Sequence, residues 1–90
     1  MSKFEDTMLQ LGYKLDEQEE GKLTYRKRMQ FSELALVFNL ELKTINPILV
    51  PSSLILYERD FVVLINEFRR MRKDAVYIAE LSNGKYKVLN

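Results

Sequence analysis

The chain contains no cysteine, no histidine and no tryptophan, and only three glycines and two prolines among its 90 residues. Without imidazole or thiol groups there is no Ser-His-Asp or Cys-His nucleophile system, no disulfide, and no zinc site of the usual nitrogen and sulfur ligands. Only carboxylate, hydroxyl, lysine and tyrosine chemistry remains. The scarcity of glycine and proline leaves no place for a linker, and there is no internal repeat or low-complexity tract. No stretch approaches the ~20 apolar residues that span a bilayer. The start, Met1-Ser2-Lys3-Phe4-Glu5, also lacks a basic region followed by an apolar run, so a cytoplasmic protein that does not enter a membrane is expected.

What is present is 47% hydrophobic and 30% charged residues, enough apolar material for one compact core in a single small α+β domain over residues 1–90. A formal net charge of +1 creates no general field for nucleic acid or anionic lipid. The charges are nevertheless clustered. Residues 1–21 set Lys3 and Lys14 against Glu5, Asp6, Asp16, Glu17, Glu19 and Glu20, whereas residues 22–28 carry Lys22, Arg26, Lys27 and Arg28. Adjacent opposite blocks of this kind suit two solvated hairpin strands in register.

Local signals divide the chain. Ser2 with Glu5 is a capping box, Phe4, Met8 and Leu11 share a stripe, and Gly12 followed by Tyr13 supplies a C-terminal stop, which together predict a short helix over residues 3–11. Residues 13–28 alternate around Gly21 as a hairpin, with Leu23, Tyr25 and Lys27 on one face and Thr24, Arg26 and Arg28 on the other, away from the core. Over residues 31–42 the five alternations of Leu34, Leu36, Phe38, Leu40 and Leu42 favour a strand over a helix capped by Ser32. Thr44 to Val50 reads as its antiparallel neighbour, an edge strand because Pro47 cannot donate to a ladder.

From Ser53 onward Leu54, Tyr57, Phe61, Leu64, Phe68 and Met71 recur at helical spacing, widened by Ile55, Val62 and Ile65. Arg69, Arg70, Arg72 and Lys73 would then lie in the last turns, where cations complement the macrodipole. Beyond Lys73 two readings compete. The helix runs on through Ala75 and Ile78 to a cap at Gly84, or Ala75 to Leu81 and Lys85 to Leu89 form a hairpin around Ser82-Asn83-Gly84. The β-formers Val76, Tyr77 and Ile78 and the Asn-Gly turn favour the hairpin.

The resulting expectation is an α+β fold: an antiparallel meander of about four or more strands packed against one long helix, with a short N-terminal helix and a C-terminal hairpin. The expected core is Phe4, Met8, Leu11, Leu34, Leu36, Phe38, Leu40, Phe61, Leu64, Ile65 and Phe68, and truncating Phe61 or Phe68 to alanine should cost about 3 to 5 kcal/mol. The same helical stripe has a rival use, as a homodimer seam through Tyr57, Phe61, Leu64 and Phe68.

Few groups can carry chemistry. Glu58 and Asp60 face different sides of a helix, Glu5 and Asp6 belong to a first turn, and Asp16 to Glu20 lacks the spacing of a calcium loop. Gly12, Gly21 and Gly84 are isolated and form no phosphate-binding loop. A non-catalytic protein without metal or cofactor is expected, and its candidate binding surface consists of Tyr25, Arg26, Lys27, Arg28, Arg69, Arg70, Arg72 and Lys73. If the outer face of the hairpin and the helix end lie side by side, these residues form one patch able to neutralise phosphates, which makes nucleic acid the alternative partner. An unidentified protein is the favoured one, because tyrosines, an edge strand and a split charge surface all suit docking.

The order of elements offers a further comparison. A short helix ending in Leu11-Gly12-Tyr13, an acidic hairpin, Leu23-Thr24-Tyr25-Arg26-Lys27, a strand through Val37-Phe38-Asn39-Leu40 and a helix around Leu64 to Phe68 resemble small uncharacterised proteins encoded by phages and prophages of Gram-positive bacteria. The resemblance covers residues 3–72, while Ala75 to Asn90 goes beyond it. It implies an accessory or host-directed interaction role and carries over no catalytic residue.

Overall fold

A computed structural model describes residues 3–52 and 57–89. The order of elements is α1 (Lys3–Gln10), β1 (Lys14–Glu19), β2 (Lys22–Arg28), β3 (Ser32–Asn39), β4 (Thr44–Pro51), α2 (Glu58–Leu81) and β5 (Lys87–Val88). The α+β expectation holds: four antiparallel strands form a meander in chain order, and β5 joins parallel to β4. Residues 31–42 contain strand β3, not a helix.

Alternation explains which sheet face is covered. Register places Leu23, Tyr25 and Lys27 of β2 beside Phe38, Leu36 and Leu34 of β3, which in turn lie beside Ile45, Pro47 and Leu49 of β4. Both helices cover this face, and Met8, Tyr13, Tyr25, Leu34, Leu36, Phe38, Ile45, Met71, Ala75 and Ile78 form the core. Leu11 and Leu40 pack at its margin. Phe4, Tyr25 and Phe38 meet edge to face, with centroids 5.4–5.8 Å apart, the arrangement that ring quadrupoles favour.

Helix α1 ends as its residues dictate. Gly12 adopts φ +92°, its N–H donates to the Leu9 carbonyl, and the Tyr13 N–H donates to that of Met8 at 2.9 Å, which is a Schellman termination. Ser2, the expected cap at the other end, lies outside the described residues.

The C-terminal hairpin expectation is overturned. Helix α2 continues through residues 75–81 to Leu81, so Arg69, Arg70, Arg72 and Lys73 lie mid-helix instead of in its last turns. Asn83 and Gly84 do adopt positive φ, +58° and +79°, but they stop a helix instead of turning a hairpin, since the left-handed conformation serves both purposes. Ala75 and Ile78 are buried, and packing on the sheet outweighs the β-propensity of Val76, Tyr77 and Ile78.

The expectation that β4 is an edge strand holds only in part, because β5 pairs outside its first residues. Parallel pairing runs from Lys87 N–H to Lys43 and from Leu89 N–H to the Ile45 carbonyl, and the next bond in the ladder would require an N–H at position 47. Proline has none, so β4 is an edge beyond Ile45. Arg72 Nη1 donates to the Leu89 carbonyl at 3.3 Å in its place.

The expected core also changes on α2. Phe61, Ile65 and Phe68 are 53%, 48% and 45% exposed, and Leu64 is half-buried. The contact line on the sheet is Glu67, Met71, Asp74, Ala75 and Ile78. Two geometric facts account for this. The buried row Glu67, Met71, Asp74 and Ile78 starts one residue before Phe68, which is about 100° around an α-helix, so Phe61 and Phe68 are rotated off it. In addition, α2, with 24 residues, extends about 36 Å, whereas the eight-residue strands β3 and β4 extend only about 26 Å. The N-terminal part of the helix outruns its support. The described part of residues 53–57, Tyr57, is exposed; Leu54 and Ile55, assigned to the same stripe, lie outside the described residues.

Candidate functional site

The proposed basic surface does not assemble as one patch. Tyr25 is buried among Phe4 and Phe38, where burial first, and the Glu5 charge second, push its phenol above the usual value. Lys27 is on the covered face of the sheet: its Nζ donates to the Leu11 carbonyl at 2.8 Å, lies 4.0 Å from Asp74 Oδ2 and sits over the Tyr13 ring. Arg26 and Arg28 are on the open face, the side of the sheet away from both helices. The two basic clusters are therefore separated by the thickness of the sheet.

Arg26 is engaged by its own hairpin. A bulge between Leu15 and Glu17 lets consecutive carboxylates reach the same guanidinium. Arg26 Nε donates to Asp16 Oδ2 at 2.7 Å, with Glu17 at 3.8 Å and Glu33 at 3.4 Å. The hydrogen bond to Asp16 is the main reason the guanidinium holds its proton more strongly than usual. The acidic run thus neutralises a cross-strand arginine. Arg28 is exposed and makes no ion pair among the described residues.

The acids flanking the second cluster turn inward. Glu67, 4% exposed, accepts the Phe31 N–H at both oxygens and the Ser32 hydroxyl at 2.8 Å. Asp74, 5% exposed, accepts the Tyr13 hydroxyl at 3.0 Å and lies 3.9 Å from Arg70 Nε. Burial and the neighbouring Asp74 carboxylate push the Tyr13 phenol far above its ordinary range. Among the described residues every buried side-chain polar atom has a partner, so this network closes on itself and ties the β2–β3 turn and the α1–β1 junction to α2.

With Glu67 and Asp74 directed to the core, the outer side of α2 is more basic than its composition suggests. Arg69, Arg72, Lys73, Val76, Tyr77 and Glu80 line one shallow depression there. Arg70, by contrast, points round the helix toward Asp74.

Beside this basic surface runs an apolar one. Phe61, Ile65, Phe68 and Val76 follow each other at helical spacing with Arg72 between the last two, roughly 100° around the helix from the buried line. With Tyr57 and Val62, both more than half exposed, they make an uncovered stripe that runs from the N-cap of α2 to Val76. The sequence pattern places Phe61, Leu64, Ile65 and Phe68 in the monomer core and leaves Ile65, Val62 and Val76 out of any binding surface, whereas the structure exposes Phe61, Val62, Ile65, Phe68 and Val76. The 3- and 4-residue spacing from Glu58 through Phe61, Ile65, Phe68 and Arg72 was the available signal. It overlaps the buried stripe so closely that hydropathy does not separate the two.

A second concavity of about 400 Å³ lies between the start of α1 and the end of α2, lined among others by Phe4, Leu23, Phe38, Ile78, Leu81 and Tyr86. Two of its hydroxyls are engaged with nearby backbone, Thr7 with the Lys3 carbonyl and Ser82 with that of Ala79. Lys3 alone offers a charge at its rim. Such a lining can hold apolar matter but has little with which to orient it.

No described helix is long and apolar enough to cross a membrane. Comparison of the chain with protein-family models, with curated proteins and with solved structures finds no match.

Proposed function

We propose that the protein is a non-catalytic interaction module that docks another protein on the outer side of α2, in the accessory phage or prophage role that its resemblance implies. The observation that carries this reading is the uncovered stripe Phe61, Ile65 and Phe68, each about half exposed. Contiguous apolar surface of that kind, rimmed by charge, marks interaction sites on soluble domains. Large aromatics beside arginines are also the residues enriched at interface hot spots.

The test is retention of proteins, including an untagged copy of the chain itself, by tagged protein and by a Phe61→Glu/Phe68→Glu variant. Retention by the parent and loss in the variant is expected. Equal retention by both, or none by either, removes the reading.

A nucleic-acid reading keeps one supporting observation: Arg69 and Lys73 make no ion pair among the described residues and lie beside exposed Tyr77. Cations interleaved with an aromatic can contact a phosphate backbone and a base. Arg26 no longer contributes, being held by three carboxylates. Arg69→Glu/Lys73→Glu should abolish any salt-dependent retention on single-stranded DNA, and a parent without such retention excludes this alternative.

A further inference from the structure

We infer that the partner seated on the α2 stripe is a second copy of this chain, its α2 running antiparallel to the first, with the two-fold axis between Ile65 and Phe68. The inference rests on the docking reading above and adds the identity and orientation of the occupant.

Three observations lead to it. The first is charge order along the helix. The stripe begins at Glu58 and reaches a basic run, with Arg72 on it and Arg69 and Lys73 beside it. A parallel pair would set that basic run against itself. Antiparallel pairing about Ile65 and Phe68 instead brings Glu58 of each copy within about one helical turn of Arg72 of the other and opposes the two helix dipoles favourably. The acids that could have relieved a parallel pair, Glu67 and Asp74, are buried on the far side.

The second is self-complementarity. A two-fold interface needs one patch that fits itself. Here Ile65 faces Phe68 of the second copy twice, and Phe61 lies against the Arg72 stem and guanidinium, a cation–aromatic contact at each end.

The third is area. Tyr57, Phe61, Val62, Ile65, Phe68 and Val76 are each 43–58% exposed. With about half of the ~200 Å² of each aromatic available, and less for the aliphatics, the stripe offers roughly 500 Å² per copy. The stems of Arg69 and Arg72 bring this toward the roughly 800 Å² per partner of a standard interface.

The open edge of β4 is a poorer seat. β5 covers Thr44 and Ile45, and beyond them Pro47 and Pro51 lack the N–H that strand addition requires.

Absence of cysteine makes the test clean. Single-cysteine variants Ile65→Cys and Phe61→Cys are oxidised, and the unmodified protein is followed by sedimentation velocity over a range of concentration. An antiparallel pair brings the two residues 65 within about 5 Å of each other along the axis, but separates the two residues 61 by about 16 Å. A concentration-dependent dimer in which Ile65→Cys links covalently and Phe61→Cys does not is expected. Phe68→Glu should weaken self-association roughly thirtyfold or more, as loss of an interface anchor does, while the far-UV circular dichroism and urea midpoint stay close to the parent's. Cross-linking at both positions overturns the antiparallel arrangement. A monomer at every concentration overturns the self-pairing altogether, yet leaves the docking reading standing if Phe61 and Phe68 still govern retention of a different protein.

Discussion

Asp74 connects three parts of the chain through one carboxylate. It accepts the Tyr13 hydroxyl, lies close to the Lys27 ammonium, and faces Arg70 from within α2. Removing it as Asp74→Ala would strand a fully buried phenol and take the nearby carboxylate from a half-buried cation, and a loss of about 2 to 4 kcal/mol in urea unfolding is expected. The same site gives a pH dependence. Tyr13 loses its proton at a higher pH when folded than when unfolded. Above about pH 10, therefore, the unfolded chain has released a proton that the folded chain retains, and stability falls with rising pH, by up to about 1.4 kcal/mol per pH unit for one such group. Tyr13→Phe should flatten that alkaline slope, with a remainder from Tyr25, whose proton is also held more tightly than usual. Arg26 offers the contrast. Its three carboxylate neighbours are themselves 36–52% exposed, so Arg26→Ala should cost less than about 1 kcal/mol.

At the level of elements, α2 has two different sides within one periodic pattern. Met71 is fully buried whereas Phe68, one turn earlier, is 45% exposed. Met71→Ala should cost about 2 to 5 kcal/mol through lost burial and a cavity, but Phe68→Ala should stay within about 1 kcal/mol in dilute protein. This reverses the expectation drawn from hydropathy, in which Phe68 carried the core. The reversal has a local cause. Glu67 and Asp74 occupy contact positions because backbone and side-chain donors await them on the other elements, Phe31 and Ser32 in one case and Tyr13 in the other. A polar residue with a partner 35 or 61 positions away in sequence looks, to any local rule, like a residue facing water.

On the scale of the whole molecule, a long helix rests on a shorter sheet. The molecule measures 40 × 23 × 22 Å, and α2 lies against it through the segment from Glu67 to Ile78. Amide hydrogen exchange in dilute protein should therefore be faster over residues 58–66 than over 71–79, since opening of the first segment exposes little additional core. If the α2 stripe pairs with a second copy, protection over 58–66 should rise with protein concentration while that over 71–79 stays level. The separation of the basic clusters is likewise a property of the whole. Arg26 and Arg28 project from one side of the sheet and α2 covers the other, so no single ligand spans both without reaching around an edge.

Local physics determined much of this protein in advance. The Gly12 stop ended α1, strict alternation identified β2 and β3 and their faces, Pro47 marked where pairing on the outer side of β4 stops, and the helical stripe located α2. These features depend on neighbours a few residues apart, and steric and hydrogen-bonding rules act at that range. Tertiary structure alone decided how far α2 ran, which side of it met the sheet, and whether each charge faced water. Those outcomes turn on strand length, on donors brought from distant segments and on a rotation of about 100° around the helix. The positive φ of Asn83 and Gly84 suited a hairpin and a helix end equally; burial of Ala75 and Ile78 selected the helix.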